Sequence, residues 1–183
     1  MLHDNEVPTY IALLRGINVG KAKRVAMIDL REIFSDLGHT DVVTYINSGN
    51  VVFTAPPRNV GKLGAAVEKK IRERLGIDVK VVVLTREDLA RVIHKNPLHE
   101  ATEEPSRYYV VFLSGKPEAG AVAEIDPEKH PHDVFRWGER EVYIWYRGGE
   151  SKLGNDAWEK RLGLVATSRN WNTVNKLLEL ASS

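Results

Sequence analysis

The residues best equipped for chemistry fall in three polar loops, and most of them are hydrogen-bond donors. The first loop, Arg15-Gly16-Ile17-Asn18-Val19-Gly20-Lys21, follows the apolar run Tyr10-Ile-Ala-Leu-Leu14 and leads to Lys23 and Arg24. Glycine permits close backbone approach, arginine offers a two-point fork to phosphate or carboxylate, and free amides ahead of a helix attract anions. The second, Asn47-Ser48-Gly49-Asn50, puts two amides and a hydroxyl on a hairpin tip. Asn and Gly are there first because a hairpin needs them, which leaves Ser48 as the donor with capacity to spare. The third, Ala166-Thr-Ser-Arg-Asn-Trp-Asn-Thr-Val-Asn-Lys176, crowds hydroxyls, amides, an Arg and a Lys around a helix start. Capping by residues in Ser168 to Asn172 accounts for part of that crowd, and the helix N-terminus there could hold an anion.

Charge placement strengthens these loops. The chain has 26 Lys and Arg against 25 Asp and Glu, a net charge of +1, so any electrostatic function must be local. Between Glu6 and Asp29 stand Arg15, Lys21, Lys23 and Arg24 with no carboxylate, and between Glu159 and Glu179 stand Lys160, Arg161, Arg169 and Lys176, again with none. The carboxylates crowd instead into 86–106 and 118–141. The reading is an anionic ligand, phosphorylated or nucleotide-like, in a polar basic cleft between two subdomains. Arg15 and Arg169 would clamp it. Gly16, Asn18, Lys21, Arg24, Ser48, Asn50, Ser168, Asn170 and Lys176 would complete the site.

Other chemistries fit less well. The first loop is not a nucleotide-triphosphate loop of the Walker type: Gly16, Gly20 and Lys21 are one residue short of the spacing, and Ala22 stands where Ser or Thr should bind magnesium. There is no cysteine, which removes thiol nucleophiles, disulfides and thiolate-held metals. The histidines at 3, 39, 94, 99, 130 and 132 lie outside the three loops and read as solvated imidazoles; His130-Pro-His-Asp133 has metal-binding residue types but no further ligand at suitable spacing. Ser151-Lys152 has the form of a nucleophile beside an amine, yet a turn before a helix uses Ser and Lys anyway. No carboxylate sits in the basic loops to act as a base, so no catalytic residue is assigned, no metal or cofactor is expected, and the choice between binding and turnover stays open. A nucleic-acid-binding module and an enzyme acting on a phosphorylated small molecule are the alternatives. The aromatics on the strands of the second half, Tyr108, Tyr109, Phe112, Phe135, Trp137, Tyr143, Trp145 and Tyr146, would suit base stacking, but Glu139 and Glu141 make their surroundings acidic and core packing explains them more cheaply.

Hydrophobic periodicity supplies the elements that must carry these loops. Residues 10–14 read as a strand buried on both faces, 27–38 as a helix stopped by Gly38, and 42–46 with 51–54 as a hairpin. Val60, Leu63, Val67, Ile71 and Leu75 mark a second helix ended by Gly76, and 79–84 a strand. A short helix over 86–95 starts at a capping box of Thr85 and Asp88. Residues 96–106, with two prolines and three glutamates, read as a linker. Beyond it come a strand at 107–113, a helix at 118–125, a hairpin of 134–137 and 142–146, a helix at 155–162, a strand at 164–167 and a last helix at 172–181. The order βαββαβ thus occurs twice, with one helix added. The expected class is α+β: two ferredoxin-like plait subdomains, residues 1–95 with a linking helix and 107–183 with a terminal helix, joined by the linker 96–106.

With 43% apolar and 28% charged residues the composition is that of a globular protein, and no window approaches the ~20 apolar residues of a membrane helix. Without a basic leader or any cysteine, a cytoplasmic, bacterial-type protein with no membrane partner is expected.

Four segments carry a family resemblance: Tyr10-Ile-Ala-Leu-Leu-Arg-Gly-Ile-Asn-Val-Gly20, Thr44-Tyr-Ile-Asn-Ser-Gly-Asn-Val-Val-Phe53, Ser151-Lys152-Leu153 and Ala166 to Leu177. In order and nearly end to end they resemble the domain of unknown function 1697 family of bacterial proteins. The resemblance implies two α/β-plait subdomains and no established activity. The positions bearing its motif are the same three polar loops, and no catalytic role comes with them.

Overall fold

The computed structural model describes residues 7–148 and 151–183; His3 lies outside the described residues. The chain divides into two compact units: one runs to Asp88 and takes in Leu177–Ser183, and the other is Leu89–Lys176.

The first unit follows the expected order: β1 Thr9–Leu14, α1 Met27–Asp36, β2 Thr40–Tyr45, β3 Asn50–Thr54, α2 Val60–Leu75 and β4 Val81–Thr85. Its sheet is ordered β2-β3-β1-β4 with every neighbour antiparallel, the arrangement that split βαβ units require. Strand alternation sends Tyr10, Ala12 and Leu14 of β1, Val51 and Phe53 of β3, and Val81 and Val83 of β4 to one face, where they meet Leu30, Ile33 and Phe34 of α1 and Leu63, Val67 and Ile71 of α2. Ile11 and Leu13, on the opposite side of β1, are fully buried as well, as its uninterrupted apolar run predicts. Sequence punctuation sets the limits of α2. Asn59 Oδ1 accepts from the Lys62 amide, and Gly76 closes the helix at φ 68°. Gly64 lets α2 press onto β4, because a Cβ there would stand 2.9 Å from the Val81 carbonyl oxygen.

The second unit repeats the topology. After α3, Arg86–His94, come β5 Tyr108–Leu113, α4 Ala119–Ala123, β6 Asp133–Trp137, β7 Glu141–Tyr146, α5 Asn155–Leu162 and β8 Ala166–Asn170, with the sheet ordered β6-β7-β5-β8. One face packs Val111, Leu113, Phe135, Val142 and Ile144 against Leu153, Trp158 and Leu162. The other is overlaid by α3 and the segment that follows it. Tyr143 donates its hydroxyl to the Val92 carbonyl (2.7 Å), Arg91 forks onto Glu141, and Tyr108 donates to Asn96 Oδ1 at 2.5 Å while stacking on Trp171. Desolvation drives the Tyr108 and Tyr143 hydroxyls well above the ordinary phenol range. These two tyrosines are core residues, as the core-packing reading of the strand aromatics expects, and not an open stacking platform. The Thr85–Asp88 capping box is formed in both directions.

Three features depart from the sequence reading. The segment 96–106 contains a 3-10 turn at His99–Glu103 and buries Asn96 and Ala101. Ser168, Arg169 and Asn170 belong to strand β8, because β5 offers backbone partners to the whole of Ala166–Asn170, and α6 (Trp171–Ala181) starts directly after it. Finally, His130 is buried and His39 half-buried, where solvated imidazoles were expected.

Candidate functional site

In the first unit, β1 feeds the loop 15–26 and the β2–β3 hairpin tip lies beside it. The Leu14 amide donates to the Gly49 carbonyl at 2.9 Å and the Arg15 amide to the Lys80 carbonyl at 2.8 Å, so the loop leaves the sheet from a fixed point. Its course needs positive φ at Gly16, Asn18, Gly20 and Lys23, two of them glycine and one the asparagine that tolerates this region best.

Asn18 organises this corner. Its side-chain amide donates to the Val25 carbonyl (2.9 Å) and the Asn47 carbonyl (2.7 Å), and its Oδ1 accepts from the Val25 amide (2.8 Å). The Asn18 main-chain amide closes the loop on Lys23 O at 3.0 Å. Asn18 is therefore a positioning residue whose donors are used internally. Asn50, completely buried at the start of β3, donates to Tyr45 O and to Ser48 Oγ at 3.0 Å and holds the hairpin tip from within. Positive φ in the tip falls on Ile46 and Gly49.

Between loop and tip lies an open depression of about 510 Å³ lined by Asn18, Arg24, Val25, Ala26, Asp29 and Asn47. Ala26 precedes α1 in extended conformation with no side-chain cap, so the first-turn amides of the helix have no side-chain acceptor from the cap position. Arg24 supplies positive charge to the depression and Asp29, in the first turn, one carboxylate. Lys21 and Lys23 stand exposed on the same loop, and none of Lys21, Lys23 and Arg24 is paired with a carboxylate among the described residues. The sequence marks Asn47 as part of the hairpin tip but gives no sign of Val25, Ala26 or Asp29; the hydrogen bonds of Asn18 to Asn47 and Val25, which no local pattern announces, are what bring them together.

The third motif belongs to the second unit, save Leu177 onward. Arg169, 8% exposed, donates to Thr167 Oγ1 at 2.8 Å and to Ser168 O at 2.9 Å, and burial lowers its guanidinium pKa to about 10. Asn170 Oδ1 caps α6 by accepting from the Thr173 amide at 2.9 Å, the capping role expected of this stretch. Ser168 and Lys176 are half-buried.

The remaining candidates resolve into structure. Ser151 donates to Asp133 Oδ2 at 2.6 Å and accepts from the Leu153 amide, which makes it a tie between β6 and the turn before α5. His130 and His132 border a small hollow of about 180 Å³ with Lys129, Asp133 and Lys152, and no metal-holding group of His, Asp or Glu occurs among the described residues. No helix among the described residues is long and apolar enough to cross a membrane.

Comparison with known proteins agrees with the architecture. A conserved bacterial protein from Streptococcus pneumoniae, solved experimentally, superposes with a TM-score of 0.67 at 21% identity, covering 96% of this chain and 99% of that one. At that identity the likeness is one of fold. No curated protein matches the chain. The family model described as "Protein of unknown function (DUF1697)" matches residues 7–143, and with three quarters of its length inside that match the chain belongs to this family.

Proposed function

We propose that the first unit binds a small phosphate ester in the depression between the loop 15–26 and the hairpin tip. The observation that carries the reading is the uncapped start of α1 at Ala26, opening on a depression that also holds Arg24. First-turn amides and a guanidinium complement a phosphate, each by charge-assisted hydrogen bonds. Asp29 sets a further condition. A carboxylate beside an anion repels it unless the ligand also brings a donor, so the fitting ligand carries hydroxyl groups next to its phosphate, as a sugar phosphate or nucleotide does. Lys21 and Lys23 add attraction at longer range that salt would screen.

The test is calorimetric titration with a hexose phosphate, a nucleoside monophosphate and a short single-stranded oligonucleotide at two salt concentrations, in the parent protein and in Arg24→Gln and Arg24→Lys. The reading expects a small phosphate ester to bind, Arg24→Gln to abolish binding, and Arg24→Lys to weaken it by losing the planar fork. Binding of the oligonucleotide alone, falling steeply with salt and indifferent to Arg24→Lys, would replace it with the nucleic-acid reading. Absence of binding by all three ligands would sink both.

A further inference from the structure

The second unit holds a donor-rich depression that the proposal above does not use. In the β6–β7 register Val134 faces Trp145 and Arg136 faces Tyr143, so Val134, Arg136 and Trp145 share the sheet face over which α3 lies. At the β6 edge of that face a depression of about 520 Å³ remains, walled on the other side by the 3-10 turn that carries His99 and Glu100. This volume falls in the range of small-molecule sites.

Its polar groups are mostly of one kind. Arg136 and Arg147 line the depression, and neither is paired with a carboxylate among the described residues; Arg136 makes one hydrogen bond, to its neighbour's carbonyl, Phe135 O at 2.9 Å. The guanidinium of Arg147 lies over the Trp145 ring, 5.3 Å from its centroid, a cation–π placement that favours the charge at that edge of the depression. Two guanidinium groups in one depression, one of them over an indole ring, call for an acceptor-rich ligand, and Val134 and Leu98 give that ligand an apolar wall.

We propose that this depression binds a small organic oxyanion, an aromatic or aliphatic carboxylate or phosphate monoester, held by Arg136 and Arg147 beside the Trp145 ring. Glu100 at the rim favours ligands whose far end offers a hydroxyl or amine. The site lies wholly within Leu89–Lys176 and stands independently of the loop depression in the first unit.

Indole N–H resonances report on it directly, since Trp137, Trp145, Trp158 and Trp171 give four signals and Trp145→Phe identifies one. The protein is titrated with phenyl phosphate and with benzoate while these signals are followed by proton–nitrogen correlation NMR. A saturable shift confined chiefly to the Trp145 signal is expected, the tighter probe naming the head group. Arg136→Gln with Arg147→Gln should raise the probe concentration needed for the Trp145 shift by about tenfold or more. The other three indole signals show whether the double variant keeps its fold; Arg136→Gln alone, at an exposed position, serves if it does not. Absence of a saturable Trp145 shift with both probes, or undiminished affinity in the folded arginine variant, overturns the proposal.

Discussion

The side-chain amide of Asn18 donates to the main-chain oxygen of Asn47 at 2.7 Å and thereby fastens the loop after β1 to the tip of the β2–β3 hairpin. The two residues are 29 positions apart, and each belongs to a segment that is mostly exposed. The same Asn18 side chain exchanges two further hydrogen bonds with Val25, so one residue sets the geometry of loop, tip and helix start together.

Asn18→Ala should therefore destabilise the protein by about 2–3 kcal/mol, from three hydrogen bonds at roughly 0.5–1 kcal/mol each and an added cost for alanine at φ 55°. Asn18→Gly separates the two terms, since glycine accepts that φ without strain. Urea unfolding of both variants checks this. If Asn18→Ala unfolds at the parent midpoint, the hydrogen bonds are not holding the loop.

The hairpin tip stores strain at Ile46, a β-branched residue at φ 49° whose side chain is 52% exposed. The left-handed conformation costs such a residue on the order of 1–2 kcal/mol, and little buried area is lost by replacing it. Ile46→Asn should raise stability by about 0.5–1 kcal/mol in the same measurement. A lower midpoint would show that the isoleucine side chain contributes packing that outweighs its backbone strain.

Much of this molecule is legible in its sequence. The duplicated βαββαβ order and the limits of α2 and α3 follow from apolar periodicity, Asn59, Gly76 and the Thr85–Asp88 pair, because those signals act within a few residues. What was hidden depends on partners far along the chain. Ser168 to Asn170 have loop-like composition and become a strand only because β5 is there to pair with them. The same holds for the site residues. Asn18 and Asn50 were read as ligand donors from their type, yet their amides point donors at Val25, Asn47, Tyr45 and Ser48, acceptors that a sequence does not place nearby. The depression lined by Arg136, Trp145 and Arg147 gave no local signal either, since it arises where the turn at His99–Glu103 meets the edge of a sheet formed more than 30 residues later.

In the second unit Glu141, whose side chain is 3% exposed, is forked by Arg91 at 2.9 and 3.4 Å and also accepts from the Arg140 amide. Removing one member of a buried pair strands the other. Glu141→Ala should cost about 3 kcal/mol, at the low end for such pairs because Arg91 is 23% exposed and has Glu139 within 3.9 Å. Arg91→Met combined with Glu141→Leu should lose clearly less than the sum of the single changes, as a double-mutant cycle in urea would show. Strict additivity would mean the two side chains are not coupled.

His39 gives the fold a dependence on pH. Its ring packs 4.7 Å from Phe53 and 5.9 Å from Phe34, and its Nε2 is buried without a partner among the described residues. Burial first, and the Arg58 charge second, hold its pKa below the ordinary histidine value of 6.5. In the unfolded chain the same imidazole takes up its proton near pH 6.5. Above that pH both states carry neutral His39, and its contribution to stability is complete. As the pH falls below 6.5, the unfolded state binds a proton that the folded state still refuses, so stability declines until the folded pKa is passed and then levels off. The melting temperature should accordingly drop between about pH 7 and pH 5, and His39→Leu should flatten that drop. The comparison is a pair of thermal unfolding series across this range, and parallel curves for the parent and His39→Leu would assign the pH dependence to other groups.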